Sequence, residues 1–466
     1  MAFGLQKPKS ERPRVVKLTL AEPPIELFTK LCIKHDYVYI LESVEGPKRL
    51  AEYSFIGFDP KFIVSVKDGK AVIQNMVEDE KLSMSVDDPL RVIRELVESP
   101  SVSSFRFRLL GGAIGYISYD AVRYWEKLPK IAVDDLGFPD LEMGIFDDGI
   151  IFDHKNGEAF YYHYGESRLE EVLSLKDEFY ENEPFSYDNL RLNMSRDCFE
   201  EMVVQAKDYI ASGDVFQVVL SKRFNFSFSG SLIGFYKALR RINPSPYMYY
   251  IKMGPRQIIG SSPEMLVRVE NGVVETFPIA GTRPHVDDPD ENEALKRELL
   301  TDQKECAEHV MLVDLARNDI GRVSEYGTVS VPEFMQIYEY SHVQHIVSRV
   351  TGKLRKECSC YDALRAVFPA GTVSGAPKVR AMEIIEELEP TRRGPYAGAV
   401  GYFSYNGNAD FAITIRSLIA RDGEGYIQAG AGVVADSIPE KEWFETECKA
   451  SALIKALKMA SGGGNL

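Results

Sequence analysis

The chain has 466 residues, 45% of them hydrophobic and 11% aromatic, and a formal net charge of −15. This length allows two or three domains, the apolar content demands a packed core, and the acidic balance excludes nucleic acid and other polyanions as natural partners. No apolar run approaches a membrane span, Met1–Arg14 is too charged for a secretory leader, and six scattered cysteines fit a reducing cytoplasm.

Along the chain, turn dipeptides that favour positive φ recur between β-rich runs, and each marks a hairpin. Asp68-Gly69 separates Phe62–Val66 from Ala71–Ile73, and Asn156-Gly157 separates Ile150–Phe152 from Ala159–Tyr162. The polar stretch 181–194 reads as a linker between residues 10–180 and residues 195–458. Beyond it, Phe199, Met202, Val203, Ala206 and Ile210 share one face of a helix over Asp197–Ala211, which Gly213 stops. Asn271-Gly272 joins Met265–Val269 to Val273–Phe277, and Asn406-Gly407 joins Tyr402–Tyr405 to Phe411–Ile415. Hairpins with interspersed helices give an α+β fold, with helices packed on antiparallel sheets.

Four segments concentrate chemistry: Pro278–Pro284, Ala307–Asp319, Ala370–Arg380 and Gln428–Val434. In the first, prolines fix the chain direction, Gly281 lets backbone amides approach a ligand, and Thr282 offers a short hydroxyl. Glu305 and Glu308 share one face of a helical stretch over Thr301–Ala316. Glu442 and Glu445 repeat that spacing in a helix opened by Pro439, with Lys449 one turn on. Glutamates so spaced are ordinarily solvated surface acids. Gly371–Lys378 lacks the spacing and ending of a P-loop. With Pro377 at a helix start, it reads as a loop before a helix amino terminus, an end suited to a carboxylate. Arg416 closes the alternating run Phe411–Arg416. His345 lies in the apolar run Val343–Arg349, helical or strand-like, where a lone histidine is ordinarily a core residue.

In this order the four segments resemble the chorismate-utilising enzymes and, among them, the anthranilate synthase component I group. The resemblance is densest from about Ser195 onward and covers most of the chain. It implies a sandwich-like core of antiparallel sheets with helices outside. Residues 10–180 become a tryptophan-binding part and residues 195–458 the chorismate-binding catalytic part. It implies that Glu308 and Glu445 hold Mg²⁺, a cation that takes one or two carboxylates and completes its shell with water and an anionic substrate. Glu264 is the implied general acid for a departing hydroxyl, and His345, with Thr282, the implied proton-transfer group. The implied substrate contacts are Gly281, Thr282, Thr372, Tyr396, Arg416, Gly430, Ala431 and Gly432. Of these, Arg416 and Tyr396 meet the enolpyruvyl carboxylate, and the run Gly430–Gly432 offers backbone N–H groups.

Two positions select a reaction within the resemblance. Relatives that activate water carry a lysine where this chain has Gln217. Relatives that form aminodeoxychorismate commonly carry a nucleophilic lysine where it has Ala280. With neither, ammonia itself is the implied nucleophile at ring C2, the C4 hydroxyl departs, and elimination of pyruvate gives anthranilate. An aminodeoxychorismate synthase and a non-catalytic, tryptophan-binding relative are the alternatives. Leu41-Glu42-Ser43 and Pro246-Tyr247-Met248 resemble two halves of the family's tryptophan site, with Lys48 or Arg49 as a candidate third element. No segment resembles a glutaminase. The resemblance therefore implies a separate glutamine amidotransferase subunit as ammonia source, tryptophan as feedback inhibitor, and a cytoplasmic location at the first step of tryptophan biosynthesis.

Overall fold

The computed structural model describes residues 12–19, 22–44, 52–98, 106–175, 183–339 and 343–462. Each expected hairpin is present. Asp68 and Gly69 have φ of 47° and 76°, and Asn271 and Gly272 of 52° and 78°, the left-handed pair whose twist matches the flanking strands. They join Phe62–Lys67 to Lys70–Asn75 and Met265–Glu270 to Val273–Thr276.

Two large sheets, of 13 and 12 strands, carry the fold. The alternation of side chains along each strand assigns them to two layers. In the first sheet, Tyr39, Phe55, Tyr249 and Ile258 point to the second sheet and meet its Val64, Ile114, Val267 and Phe403 in one core. Their neighbours Val38, Ile40, Met248 and Tyr250 point the other way. There the helices Pro24–Lys34, Ile233–Ile242 and Pro439–Ala460 cover them, through Leu27, Phe235 and Leu453 among others. Each such fully buried side chain stabilises the fold by about 1.5–3 kcal/mol over its exposed state. A third cluster packs helices Arg196–Ala211 and Lys378–Leu388, together with Trp443, on the strand Gln217–Ser229.

The sheets do not follow the sequence boundary. In the first, Tyr37–Glu42 pairs with Tyr247–Met253, Glu42 opposite Met248. In the second, Gly112–Ile117 pairs with Ala399–Ser404, Gly115 opposite Gly401. The stretches before and after 181–194 thus share both sheets, each sealing an edge of the other. Nor is the described part of that polar stretch detached, since Ser186–Tyr187 and Arg191–Leu192 both pair with Gln217–Ser229. Residues 181 and 182 lie outside the described residues.

Two local expectations are corrected. The helical stretch expected over Thr301–Ala316 begins at Gln303 and runs to Gly321, while Thr301 closes the preceding helix, Pro289–Thr301. The Asp302 carboxylate between them accepts from the amides of Lys304 and Glu305 and starts the second. The strand expected to run to Arg416 stops at Ile413. Arg416 has φ of 52°, a left-handed turn few bulky residues adopt. Among the described residues, no helix is long and apolar enough to cross a membrane.

Candidate active site

Gly281 shows how the local sequence builds the site. It sits at φ 71°, where the pairing of Ile279–Pro284 with Val343–Lys353 slips by one residue between Ala280 and Thr282. A Cβ added there would stand 3.0 Å from Leu299 Cδ1 and 3.2 Å from Glu305 Oε2. The bulge re-aims the next side chain. Thr282 Oγ1 comes within 3.0 Å of His345 Nδ1, which also lies 2.9 Å from the Gly281 carbonyl. Because a carbonyl only accepts, Nδ1 carries the hydrogen and Nε2 is the basic nitrogen. Burial holds the imidazole below its ordinary pKa, against the Gly281 carbonyl and aided by Arg416, so it is neutral at pH 7. Arg283 is turned aside, bonded to Glu298 and Asp302 at 2.8 and 2.9 Å, and ties the strand to the helix junction.

This strand pair forms one wall of a cavity of about 570 Å³. The wall brings Gly281, Thr282 and His345. The cavity's other walls bring Glu264, Glu308, Thr372, Tyr396, Arg416, Gly430, Gly432 and Glu445. Of the expected catalytic, substrate and metal residues, Ala431 alone does not line it. Alternation along Glu424–Val433 turns its side chain to the opposite face, where it is fully buried.

Glu264 accepts a hydrogen bond from Thr372 Oγ1 at 2.9 Å. Burial pushes its carboxyl up to about 7, against the opposing pull of Thr372 and Lys449. A carboxyl titrating near neutrality can hold a proton and release it at the operating pH. The unusual backbone of Arg416 carries its Nη1 to the Lys449 carbonyl at 2.7 Å. Burial pushes the Tyr396 phenol up to about 12, so it remains a hydrogen-bond donor. The glycines leave space beside these groups. A Cβ on Gly430 would lie 2.8 Å from the Tyr396 hydroxyl, and one on Gly432 would lie 2.7 Å from Gln217 Nε2.

The cavity is richer in acids than in bases, with five glutamates against Lys304, Arg416 and Lys449. Glu305 and Glu442, spaced along the sequence like solvated acids, both face inward. Burial raises the pKa of Glu305 and nearby Glu308 adds to it. Burial likewise raises Glu442, Ser437 opposing and Glu445 adding. Glu442 Oε2 is buried with no hydrogen-bond partner. Gln217 Nε2 donates to Glu308 Oε1 at 3.0 Å, while Lys449 Nζ lies 2.6 Å from Glu445 Oε1 and donates to the Gly430 carbonyl at 2.9 Å. Lys449 was legible only as an i,i+4 partner of Glu445. Two mutually repelling glutamate pairs with an orphaned oxygen suit a divalent cation. Among the described residues, no three or more His, Cys, Asp or Glu side chains group closely enough to enclose one. Water or an anionic ligand would have to complete the shell, as Mg²⁺ prefers.

A separate cavity of about 50 Å³ lies between the sheets, at the pairing of Tyr37–Glu42 with Tyr247–Met253. Leu41, Glu42, Ser43, Pro246, Tyr247 and Met248 all line it, with Arg108, Arg268 and Asp410. Ser43 Oγ donates to the Pro246 carbonyl at 2.5 Å, and Glu42 is fixed by Tyr236 and Arg240. It has room for roughly three or four waters, so a larger ligand requires side chains to move. Lys48 and Arg49 lie outside the described residues.

The family model described as chorismate binding enzyme matches residues 36–455. Anthranilate synthase component 1 of Methanothermobacter thermautotrophicus is 49% identical over 461 residues, spanning 99% of this chain and 97% of that protein. Its counterpart in Pseudomonas aeruginosa is 44% identical, spanning 95% and 94%. Among solved structures, anthranilate synthase component I from Streptococcus pneumoniae superimposes with a TM-score of 0.77 at 39% identity, over 86% of this chain and 92% of that one. The menaquinone-specific isochorismate synthase from Escherichia coli reaches 0.72 at 19% identity, over 96% and 94%, a likeness of fold.

Proposed function

Because this chain belongs to the chorismate binding enzymes and, within them, to the anthranilate synthase component I group, we propose that it aminates chorismate with ammonia and eliminates pyruvate to release anthranilate. One observation carries this reading. The cavity joins a carboxyl able to give a proton, Glu264, to a neutral imidazole, His345, while Gln217 and Ala280 line its wall with no lysine at either position. The protein supplies acid and base, and the nucleophile comes from outside.

Arg416 and Tyr396 hold the enolpyruvyl carboxylate, one by charge and one as a donor. Glu308 and Glu445 are suited to hold Mg²⁺, which when bound supplies charge to the ring carboxylate and draws electrons from the diene. Glu264 gives its proton to the C4 hydroxyl, which leaves as water while the ammonia lone pair forms the bond to C2, and the ammonium group so formed sheds one proton to solvent water. His345 Nε2, oriented through Nδ1 by the Gly281 carbonyl, takes the C2 proton as the C3–O bond breaks, and returns it to the methylene carbon of the departing enolate, which leaves as pyruvate. A separate glutamine amidotransferase subunit supplies the ammonia, in keeping with relatives named as component 1. Tryptophan binds at the smaller cavity, where both expected segments meet, and disfavours the competent state.

The test is to give the purified chain chorismate, Mg²⁺ and ammonium at mildly alkaline pH, and to identify products by mass and fluorescence. Anthranilate and pyruvate in equal amounts are expected. A product aminated at C4 would mean that Ala280 does not exclude aminodeoxychorismate synthesis. No turnover, even with an amidotransferase subunit added, would return the non-catalytic alternative.

A further inference from the structure

A third cavity, of about 50 Å³, shares Glu264, Thr372 and Leu312 with the active-site cavity. It follows one face of the helix Gln303–Gly321 past Leu315 and Ala316 to Asp319. From Leu312 to Asp319 the helix rises about 10 Å. Met265, Phe277, Val367 and Ile413 make the rest of its wall largely apolar. At the far end, Lys378 Nζ donates to Asp319 Oδ2 at 2.7 Å and to the Val367 carbonyl at 2.8 Å. The two side chains are 13% and 11% exposed, so the pair reaches both solvent and cavity. Burial raises Asp319 and lowers Lys378, which brings their proton affinities together. The other charges facing them are Arg322, beside both, and Glu126, beside Lys378; Glu264 is faced by Lys449.

The reaction leaves a debt at Glu264. Once the C4–O bond breaks and the oxygen departs as water with its proton, a carboxylate remains where burial opposes charge. Substrate or product then fills the main cavity. We propose that the Asp319–Lys378 pair returns a proton to Glu264 through water held in the third cavity. The proton passes from solvent to the pair, from the pair to cavity water, and from that water to the Glu264 carboxylate. Only O–H and N–H bonds change. A volume of 50 Å³ accepts roughly three or four waters, and Glu264, Thr372 and Asp319 are their polar partners. The inference rests on Glu264 being the general acid.

Two variants test it, against wild type, by rapid quench near pH 7. Asp319→Asn removes the relay group, and Ala316→Val fills the passage while leaving the ion pair and Glu264 in place. In each, the first turnover should keep its wild-type rate and later turnovers should slow about tenfold, giving a burst of one anthranilate per site. Imidazolium buffer should restore part of the steady rate. Equal slowing of first and later turnovers would reduce the pair to a structural clamp, and an unchanged steady rate in Ala316→Val would close the passage as a route. If Asp319→Asn fails to fold, Ala316→Val alone decides. A wild type that makes no anthranilate would instead overturn the underlying assignment.

Discussion

Glu264→Gln keeps the side-chain shape and an acceptor for Thr372 but removes the titrating proton. In the unfolded chain this carboxyl ionises near its ordinary 4.5, whereas in the fold it holds its proton to about 7. Below pH 4.5 both states are protonated and the group has no effect on stability. Between the two values only the unfolded state has lost the proton, so wild-type stability falls by about 1.4 kcal/mol for each pH unit. Above 7 both states are ionised and the full destabilisation, up to about 3 kcal/mol, is in place. The glutamine side chain escapes it, so the variant's advantage should grow from about 2 kcal/mol at pH 6 to about 3 kcal/mol at pH 8.5. Any fixed effect of the amide leaves that pH-dependent part intact. Urea unfolding of both proteins at the two pH values, read as midpoints and slopes, measures it. The same variant should lose about 10²- to 10⁴-fold in kcat, as expected when a general acid is removed. A stability difference that does not change with pH would mean that Glu264 ionises normally in the fold, and near-normal kcat would remove it from the acid's role.

Glu445→Gln should abolish Mg²⁺-dependent turnover while thermal unfolding without metal stays near that of wild type; a near-normal rate with Mg²⁺ would take Glu445 out of the metal site. Ser43→Phe should fill the cavity it shares with Pro246 and Met248 and remove inhibition by tryptophan, with ammonia-dependent activity retained. Inhibition curves that coincide with those of wild type would end the assignment of that cavity. Gly281→Ala puts a Cβ 3.0 Å from Leu299 on a backbone at φ 71°, which should cost about 1–3 kcal/mol in stability and lower kcat by displacing Thr282 from His345. Wild-type values for both would show that the bulge tolerates a side chain.

The hairpins were legible because Asp68-Gly69 and Asn271-Gly272 state a backbone requirement in two adjacent residues. The active-site residues were legible for another reason: long ordered segments resemble a family, and the structure brings all but Ala431 to one cavity. What local pattern could not provide was direction. The i,i+3 spacing of Glu305 with Glu308 and of Glu442 with Glu445 fixes that each pair shares a face, but only packing decides that both faces turn inward. The helix start at Asp302 rests on a capping carboxylate, a signal that the spacing of Glu305 and Glu308 does not carry. The pairing of Tyr37–Glu42 with Tyr247–Met253 joins segments some two hundred residues apart, and no window along the chain contains it.

That pairing, with its counterpart at Gly112–Ile117 and Ala399–Ser404, makes the molecule two half-shells joined by two seams. Neither half-shell has a closed boundary of its own. Cutting the chain near residue 181 would yield fragments whose raw seam strands expose unpaired backbone groups and invite aggregation. The fragments would be partners in reassembly rather than a free-standing sensor and a free-standing catalyst. During synthesis, the first seam can close once Tyr247–Met253 has been made, but the second must wait for Ala399–Ser404 in the last third of the chain, which places slow, long-range strand docking late in folding. A ligand wedged at the Glu42–Met248 seam therefore presses on one of the two joints that both halves need, and its reach to the catalytic cavity runs through shared strands instead of across a hinge.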